Sequence, residues 1–261
     1  MLITVIMAVR NEERFIDEAI FSIVNQSYHD WILLIIDDGS TDSTYQKLYK
    51  WSELDNRIKI FKNLISLGLA SSLNALIEMV ETEWIVRCDG DDINLPDRFE
   101  RLVQIISKKR YDVIGSSIFL LRENDATILN KSFYQLKVAH PVYDFSLIKN
   151  PMSASLFFHP TVAYRKDAVK KLNGYDPIFH RSQDKDLWIR CYLAGLRLFN
   201  VADPLVVYRM KIHSSSLAIA KQEFDALRRI ASKNDIKLNF RFLSVYFISV
   251  AKKLIFNLIG R

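Results

Sequence analysis

Cysteine is nearly missing from this chain: Cys88 and Cys191 are the only two in 261 residues. Two isolated thiols in a chain this long fit a reduced, cytosolic protein better than a disulfide scaffold. No CxxC pair and no Cys/His cluster offers a zinc site. Glycine (7) and proline (6) are too sparse for a collagen-like or flexible linker sequence. No run reaches the ~18 uninterrupted apolar residues of a standard membrane span. The start, MLITVIMAVRNEE, has no basic leader before its short apolar run, which excludes a signal peptide. The last stretch, from Ile236 to Arg261, contains no acidic residue at all.

What is present is ordinary globular composition, 49% hydrophobic and 25% charged, which argues against disorder. The length allows one to two domains of ~150 residues. The net charge of +6 points to an anionic partner: nucleic acid, an anionic membrane or a phosphorylated substrate. The position of the charge narrows these. Five bases (Lys237, Arg241, Lys252, Lys253 and Arg261) lie in that acid-free end. Removing them from the 36 in the chain leaves 31, against 30 acidic residues. The body is therefore balanced, and the excess sits in a tail with apolar clusters at Phe242–Ala251 and Leu254–Ile259. Such a segment suits a helix in a membrane interface, attracted by anionic lipids. Packing on the body or on a second subunit is the competing reading. Nucleic acid is disfavoured, because no basic stripe lies near the expected crevice.

Along the first third, two periods alternate. Leu2 to Val9 is an apolar run fit for a strand buried on both faces. Phe15, Ile16, Ala19, Ile20, Ile23 and Val24 then recur at helical spacing, with Asn11 as the expected cap. Trp31 to Ile36 reads as a strand, followed by a helix from about Asp42, with Ser40, Asp42 or Ser43 as the cap and Gln46 completing a box with Ser43. A strand at Arg57–Phe61, a loop at Asn63–Gly68, a helix over Ala70–Met79 and a strand at Glu83–Cys88 follow. Pro96 suits the first turn of the next helix. Strand–helix alternation of this kind implies an open α/β sheet, mostly parallel, with helices on both faces. Further on, strands are expected at Asp112–Leu120, at Leu156–Tyr164 and around Val206, with a helix carrying Leu187, Trp188, Cys191 and Tyr192. Residues from about 217 onward look helical.

Ligands of such sheets bind beyond the carboxyl ends of the strands. Three polar clusters lie at three such ends: Ala8–Asn11, Asp37–Asp42 and Asp89–Asp92. In RCDGDD, Asp89, Asp91 and Asp92 crowd together and repel one another. A hard divalent cation, Mg²⁺ or Mn²⁺, relieves that repulsion and favours oxygen ligands. A solvated acidic loop is the competing reading. In IIDDGSTD, Gly39 permits a sharp turn, and the acceptor-only Asp37 and Asp38 suit a base N–H or ribose hydroxyls.

Taken in order, VIMAVRNEE (5–13), IIDDGSTD (35–42), NLISLGLASSLN (63–74), RCDGDDINLPDRFE (87–100), HPTVAYR (159–165), GYD (174–176) and QDKDLWIR (183–190) resemble family 2 glycosyltransferases of the GT-A fold. The resemblance implies a GT-A domain over 1–215. Its nucleotide-sugar half would be 1–110 and its acceptor half 111–215, with a basic, apolar helical tail over 216–261. It implies inverting transfer from a nucleotide-sugar, usually a UDP-sugar, to a saccharide or lipid-linked hydroxyl, as in bacterial surface-polysaccharide assembly. By position, Ala8, Val9, Asp38 and Asp89 would meet the donor nucleotide. Asp91 would hold the metal, with His213 as a further ligand. Asp92 would support the loop or cap the next helix. Asp184 would be the general base, with Asp186 as runner-up. Gln183 stands where the family commonly has an acidic residue. His159 and Trp188 would border the acceptor, each with a buried structural role as alternative. Arg10 would pair with a nearby glutamate or reach the donor phosphate. The isolated thiols and the basic, apolar tail suggest a cytoplasmic enzyme, peripheral on the membrane's cytoplasmic face. A non-catalytic nucleotide-sugar-binding subunit and a nucleotidyltransferase are the alternatives, the latter disfavoured by the lack of a Gly-rich basic loop near the first strand.

Overall fold

The first strand, β1 (Ile3–Val9), pairs in parallel with β2 (Trp31–Asp37) on one side and β4 (Trp84–Arg87) on the other. The computed structural model describes residues 1–122, 136–138, 145, 148, 150–153, 156–210 and 217–237. The third strand, β3 (Ile58–Lys62), extends the parallel set at one edge. Helices α1 (Ile16–Val24), α2 (Thr44–Leu54) and α3 (Leu69–Met79) make the crossovers.

The central strands β1 and β2 are almost wholly apolar because both their faces are covered. Ile6, Leu34 and Ile36 point into one core with Leu73, Leu76 and Ile77 of α3. Their neighbours Val5, Met7, Leu33 and Ile35 point into the other, with Ile16 and Ile20 of α1. Each fully buried aliphatic side chain adds ~1.5–3 kcal/mol, which sets the register firmly.

Beyond β4 the sheet becomes mixed. It continues through β5 (Ile93–Asn94), α4 (Arg98–Ile106), β6 (Val113–Arg122), β7 (Leu136–Val138), β8 (Ala163–Arg165), α5 (Lys166–Lys170), α6 (Gln183–Leu193), β9 (Leu198–Met210) and α7 (Leu217–Lys233). The strand order is β3-β2-β1-β4-β8-β6-β9-β5, with β7 paired on β6. β8 runs antiparallel to both β4 and β6, and β9 runs parallel to β6. The β6–β9 register shifts around Ser117, which faces Pro204. Proline has no N–H for the ladder, so the shift falls there.

Three local expectations change. Asn11 does not cap α1, which starts at Ile16. It has φ 55, and its Oδ1 accepts from Thr41 N at 2.8 Å, tying the loop after β1 to the loop after β2. The Ser43–Gln46 box is absent: Ser43 makes no side-chain cap bond, and Asp42 Oδ1 accepts from Thr44 N at 2.9 Å instead. The strand expected over 156–164 shrinks to β8, because His159–Thr161 forms a 3₁₀ turn around Pro160.

α7 belongs to the body. Leu227, Ile230 and Ala231 enter the larger core, and Lys233 Nζ reaches Asp176 at 2.7 Å and Asp186 at 3.2 Å. Of the tail 236–261, only Ile236 and Lys237 lie among the described residues.

Candidate active site

The parallel strands end at one rim. Val9 and Asp37 are partners at the last register position, and Asp38 N donates to Val9 O at 2.8 Å. Cys88 N donates to Ile6 O at 3.1 Å, which carries the next loop onto the same rim. Gly90 is required there, since a Cβ would meet Val9 Cγ1 at 2.5 Å. The three acidic or polar clusters, far apart in sequence, thus meet at one edge of the sheet.

They open on a cavity of about 1470 Å³. Single-ligand pockets run ~300–1,000 Å³, so this one has room for two substrates. Ala8, Val9, Asp38, Asp89 and Asp91 line it from the N-terminal strand ends, and His159, Asp184 and Trp188 from the opposite wall. α7 adds Gln222, Glu223, Asp225 and Arg229. Asp186 is not among the lining residues. It is fully buried, paired with Arg190 at 2.6 Å and with Lys233. His213 lies outside the described residues.

Asp89, Asp91 and Asp92 place one oxygen each within 4.8 Å of one another. Arg87, 2% exposed on an otherwise apolar strand, holds both oxygens of Asp89 with its fork. Arg209 clamps the loop from β9: its N donates to Asp92 Oδ1 at 2.7 Å and its Nε to Asp91 O at 2.9 Å. Burial, followed by repulsion from Asp89 and Asp91, pushes the Asp92 carboxyl well above the usual carboxylate range. Its Oδ2 is buried with no hydrogen-bond partner among the described residues.

Asp38 is 4% exposed and already engaged. Its Oδ1 accepts from Asn63 Nδ2 (2.7 Å), Leu67 N (2.9 Å) and Ser72 Oγ (2.9 Å). Its Oδ2 accepts from Ser66 Oγ (2.7 Å) and Gly68 N (2.9 Å). Burial works to raise its pKa, but donors from Ser66, Leu67, Asn63 and Ser72 overcome that and hold it at about 2. A carboxylate offers about four lone-pair sites. These donors use them, so the base-reading role expected for Asp38 meets a competitor: the carboxylate clamps residues 63–68.

On the far wall, Asp184 sits in the first turn of α6. Burial raises its pKa, opposed by the Lys185 N–H and by the charge of Arg87. Burial also lowers the Lys185 ammonium. His159 Nε2 lies 2.9 Å from Tyr175 Oη, and burial, then the Arg87 charge, keeps the ring neutral. Trp188 is 1% exposed and packs its ring edge-on to Phe157, His159 and Tyr175, so its main contacts are core contacts. Arg10 Nη1 donates to Ser66 Oγ at 3.2 Å.

Residues 4–172 match the glycosyl transferase family 2 profile. This chain is a family 2 glycosyltransferase. Among relatives of this glycosyltransferase is the O-antigen biosynthesis glycosyltransferase WbnJ of Escherichia coli, 31% identical over 242 residues, spanning 90% of this chain and 91% of WbnJ. Its fold resembles residues 1–349 of S. aureus TarS in complex with UDP-GlcNAc, with TM-score 0.71, 19% identity, and coverage of 97% of this chain and 72% of that one. It also resembles the mannosyltransferase PcManGT of Pyrobaculum calidifontis in complex with GDP-Man and Mn²⁺, with TM-score 0.64, 18% identity, and coverage of 95% and 68%. The sequence reading missed the roles of Arg87, Arg209 and the α7 residues in this glycosyltransferase. A lone arginine in the apolar run WIVR was the available signal for the first. Nothing local marked the others, because they reach the site only through packing.

Proposed function

We propose that this glycosyltransferase moves a sugar from a nucleotide-sugar, a UDP-sugar by its family resemblance, to a hydroxyl of a saccharide or lipid-linked acceptor, with inversion at the transferred carbon. The observation that carries the reading is one cavity lined on one wall by Asp89 and Asp91 and on the other by Asp184. The names of its relatives support surface-polysaccharide assembly as the setting, and the TarS and PcManGT complexes support a nucleotide-sugar donor.

The donor's nucleoside would lie against Ala8 and Val9, with Asp38 shaping that end through the segment it clamps. Asp89, held by Arg87, would face the ribose or the cation. The acidic cluster fits a hard divalent cation: its donors are all oxygens, and one buried oxygen of Asp92 is unpartnered among the described residues. Asp91 would be the principal ligand of Mn²⁺ or Mg²⁺, and His213 a further one. When bound, such a cation neutralises negative charge on the departing diphosphate. Asp184 takes the proton of the attacking acceptor hydroxyl. Its burial raises its proton affinity toward that task, and the Arg87 charge opposes that rise. His159 would orient the acceptor or diphosphate while donating no charge. The tail 236–261 would hold the enzyme at a membrane surface, on the cytoplasmic face; among the described residues no helix is long and apolar enough to cross a membrane.

The test is turnover of a nucleotide-sugar panel with and without Mn²⁺, using wild type and Asp184→Asn. Wild type should consume a donor only with metal, and Asp184→Asn should bind that donor without transferring it. Transfer by Asp184→Asn at the wild-type rate would remove Asp184 from the role of base.

A further inference from the structure

The segment joining β3 to α3 carries Leu64, Ile65 and Leu67, which are 93%, 73% and 56% exposed. Three large aliphatic side chains in four residues, all facing water, form an unusual tip for a soluble surface. Loops that expose apolar residues usually fold them down. This one is held up. Asp38 binds it at Leu67 N, Gly68 N and Ser66 Oγ, and Asn63 N donates to Asp37 O at 2.9 Å. Gly39 packs directly beneath it, where a Cβ would meet Ser66 N at 2.9 Å and Ile65 C at 3.1 Å. The backbone is therefore clamped from below, and the aliphatic tip keeps its shape without a partner.

Two cations border the tip. Arg10 donates to Ser66 Oγ, and Lys62 precedes the segment with its ammonium over the Tyr45 ring at 4.2 Å. Both are exposed. Aliphatic side chains beside basic ones match the two layers of an anionic bilayer surface, acyl chains below and phosphates above. A protein partner fits less well. A stable interface needs ~800 Å² per side, more than three side chains supply. A bilayer sets no such minimum, since each buried methylene contributes separately. The tip also shares Asp38 and Arg10 with the cavity wall. Seating it on a bilayer would bring that end of the cavity to the lipid surface.

We infer that residues 64–67 are a membrane-contacting tip, which inserts Leu64, Ile65 and Leu67 among the acyl chains of an anionic bilayer while Arg10 and Lys62 meet its phosphates. The inference is independent of which sugar is transferred and of the tail, and requires no turnover to test. The full chain is mixed with vesicles of phosphatidylglycerol and phosphatidylethanolamine, or of phosphatidylcholine alone. Both native cysteines are buried, so Ile65→Cys can carry an environment-sensitive dye at that one position. The dye should shift to the blue with the anionic vesicles and not with phosphatidylcholine. Leu64→Ser with Ile65→Ser should weaken vesicle partitioning by about tenfold or more, the scale expected for removing two buried aliphatic side chains. Lys62→Gln should weaken it less and reduce its salt dependence. A dye that stays in water while the chain still sediments with vesicles assigns binding to the tail and overturns the proposal. A blue shift that follows protein concentration without vesicles makes the tip a contact between chains and overturns it too.

Discussion

Asp38→Asn tests the reading of that residue as a clamp. The side chain keeps its shape, but one oxygen becomes an NH₂ group. Whichever way the amide turns, it faces either Leu67 N or Gly68 N, and donor then meets donor. The lost charge can be sized separately. A carboxyl held at about 2 in the fold, against ~3.9 in the open chain, contributes ~2.6 kcal/mol at neutral pH. An orphaned buried N–H costs ~1–3 kcal/mol and partly overlaps that figure, so a destabilisation of about 3 kcal/mol is expected. For a chain of this size that lowers Tm by roughly 6–12 °C. The pH dependence has a fixed sign. The contribution of a depressed carboxyl is complete above its unfolded value near ~3.9 and fades as pH falls toward its folded value. Urea unfolding of both proteins should show a constant gap from pH 7 to about 4, narrowing below. Nucleotide affinity should fall only as far as residues 63–68 loosen. A variant as stable as wild type that has lost nucleotide binding would refute the clamp and return Asp38 to direct base reading.

Asp91→Ala should abolish the Mn²⁺-dependent part of nucleotide binding, measured by titration calorimetry with and without chelator, while leaving Tm without metal within a few degrees. Unchanged metal-dependent binding would move the cation elsewhere. Because burial raises the Asp184 carboxyl, the acid limb of kcat against pH should lie above the ordinary carboxylate range of ~4. A limb at or below ~4 would mean that a less buried group accepts the proton.

Much of the first 110 residues was legible from pattern alone. Apolar runs such as Leu2–Val9 and Trp31–Ile36 announce strands buried on both faces, and the structure buries them so from Ile3 onward, leaving Leu2 exposed. Helix starts were less legible. Asn11 and Ser43 are good local caps, yet the loops after β1 and β2 bond to each other, and that long-range pairing takes Asn11 for Thr41. Asp184 and Asp186 show the limit most clearly. They lie two residues apart in QDKDLW, with the same chemistry and the same place near the start of α6. Helical rotation turns them apart. One faces the cavity, and the other faces Arg190 and Lys233 in the body.

The sequence by itself determined the α/β alternation, the acidic strand ends and the family, because these are written in local period and local motif. Tertiary structure alone decided what each carboxylate meets. Asp38 meets a loop 25 to 30 residues away, and Asp92 meets Arg209 across 117 positions. Those pairings depend on which strand lies beside which, and a carboxylate's charge, reach and role follow from the donors that packing brings to it.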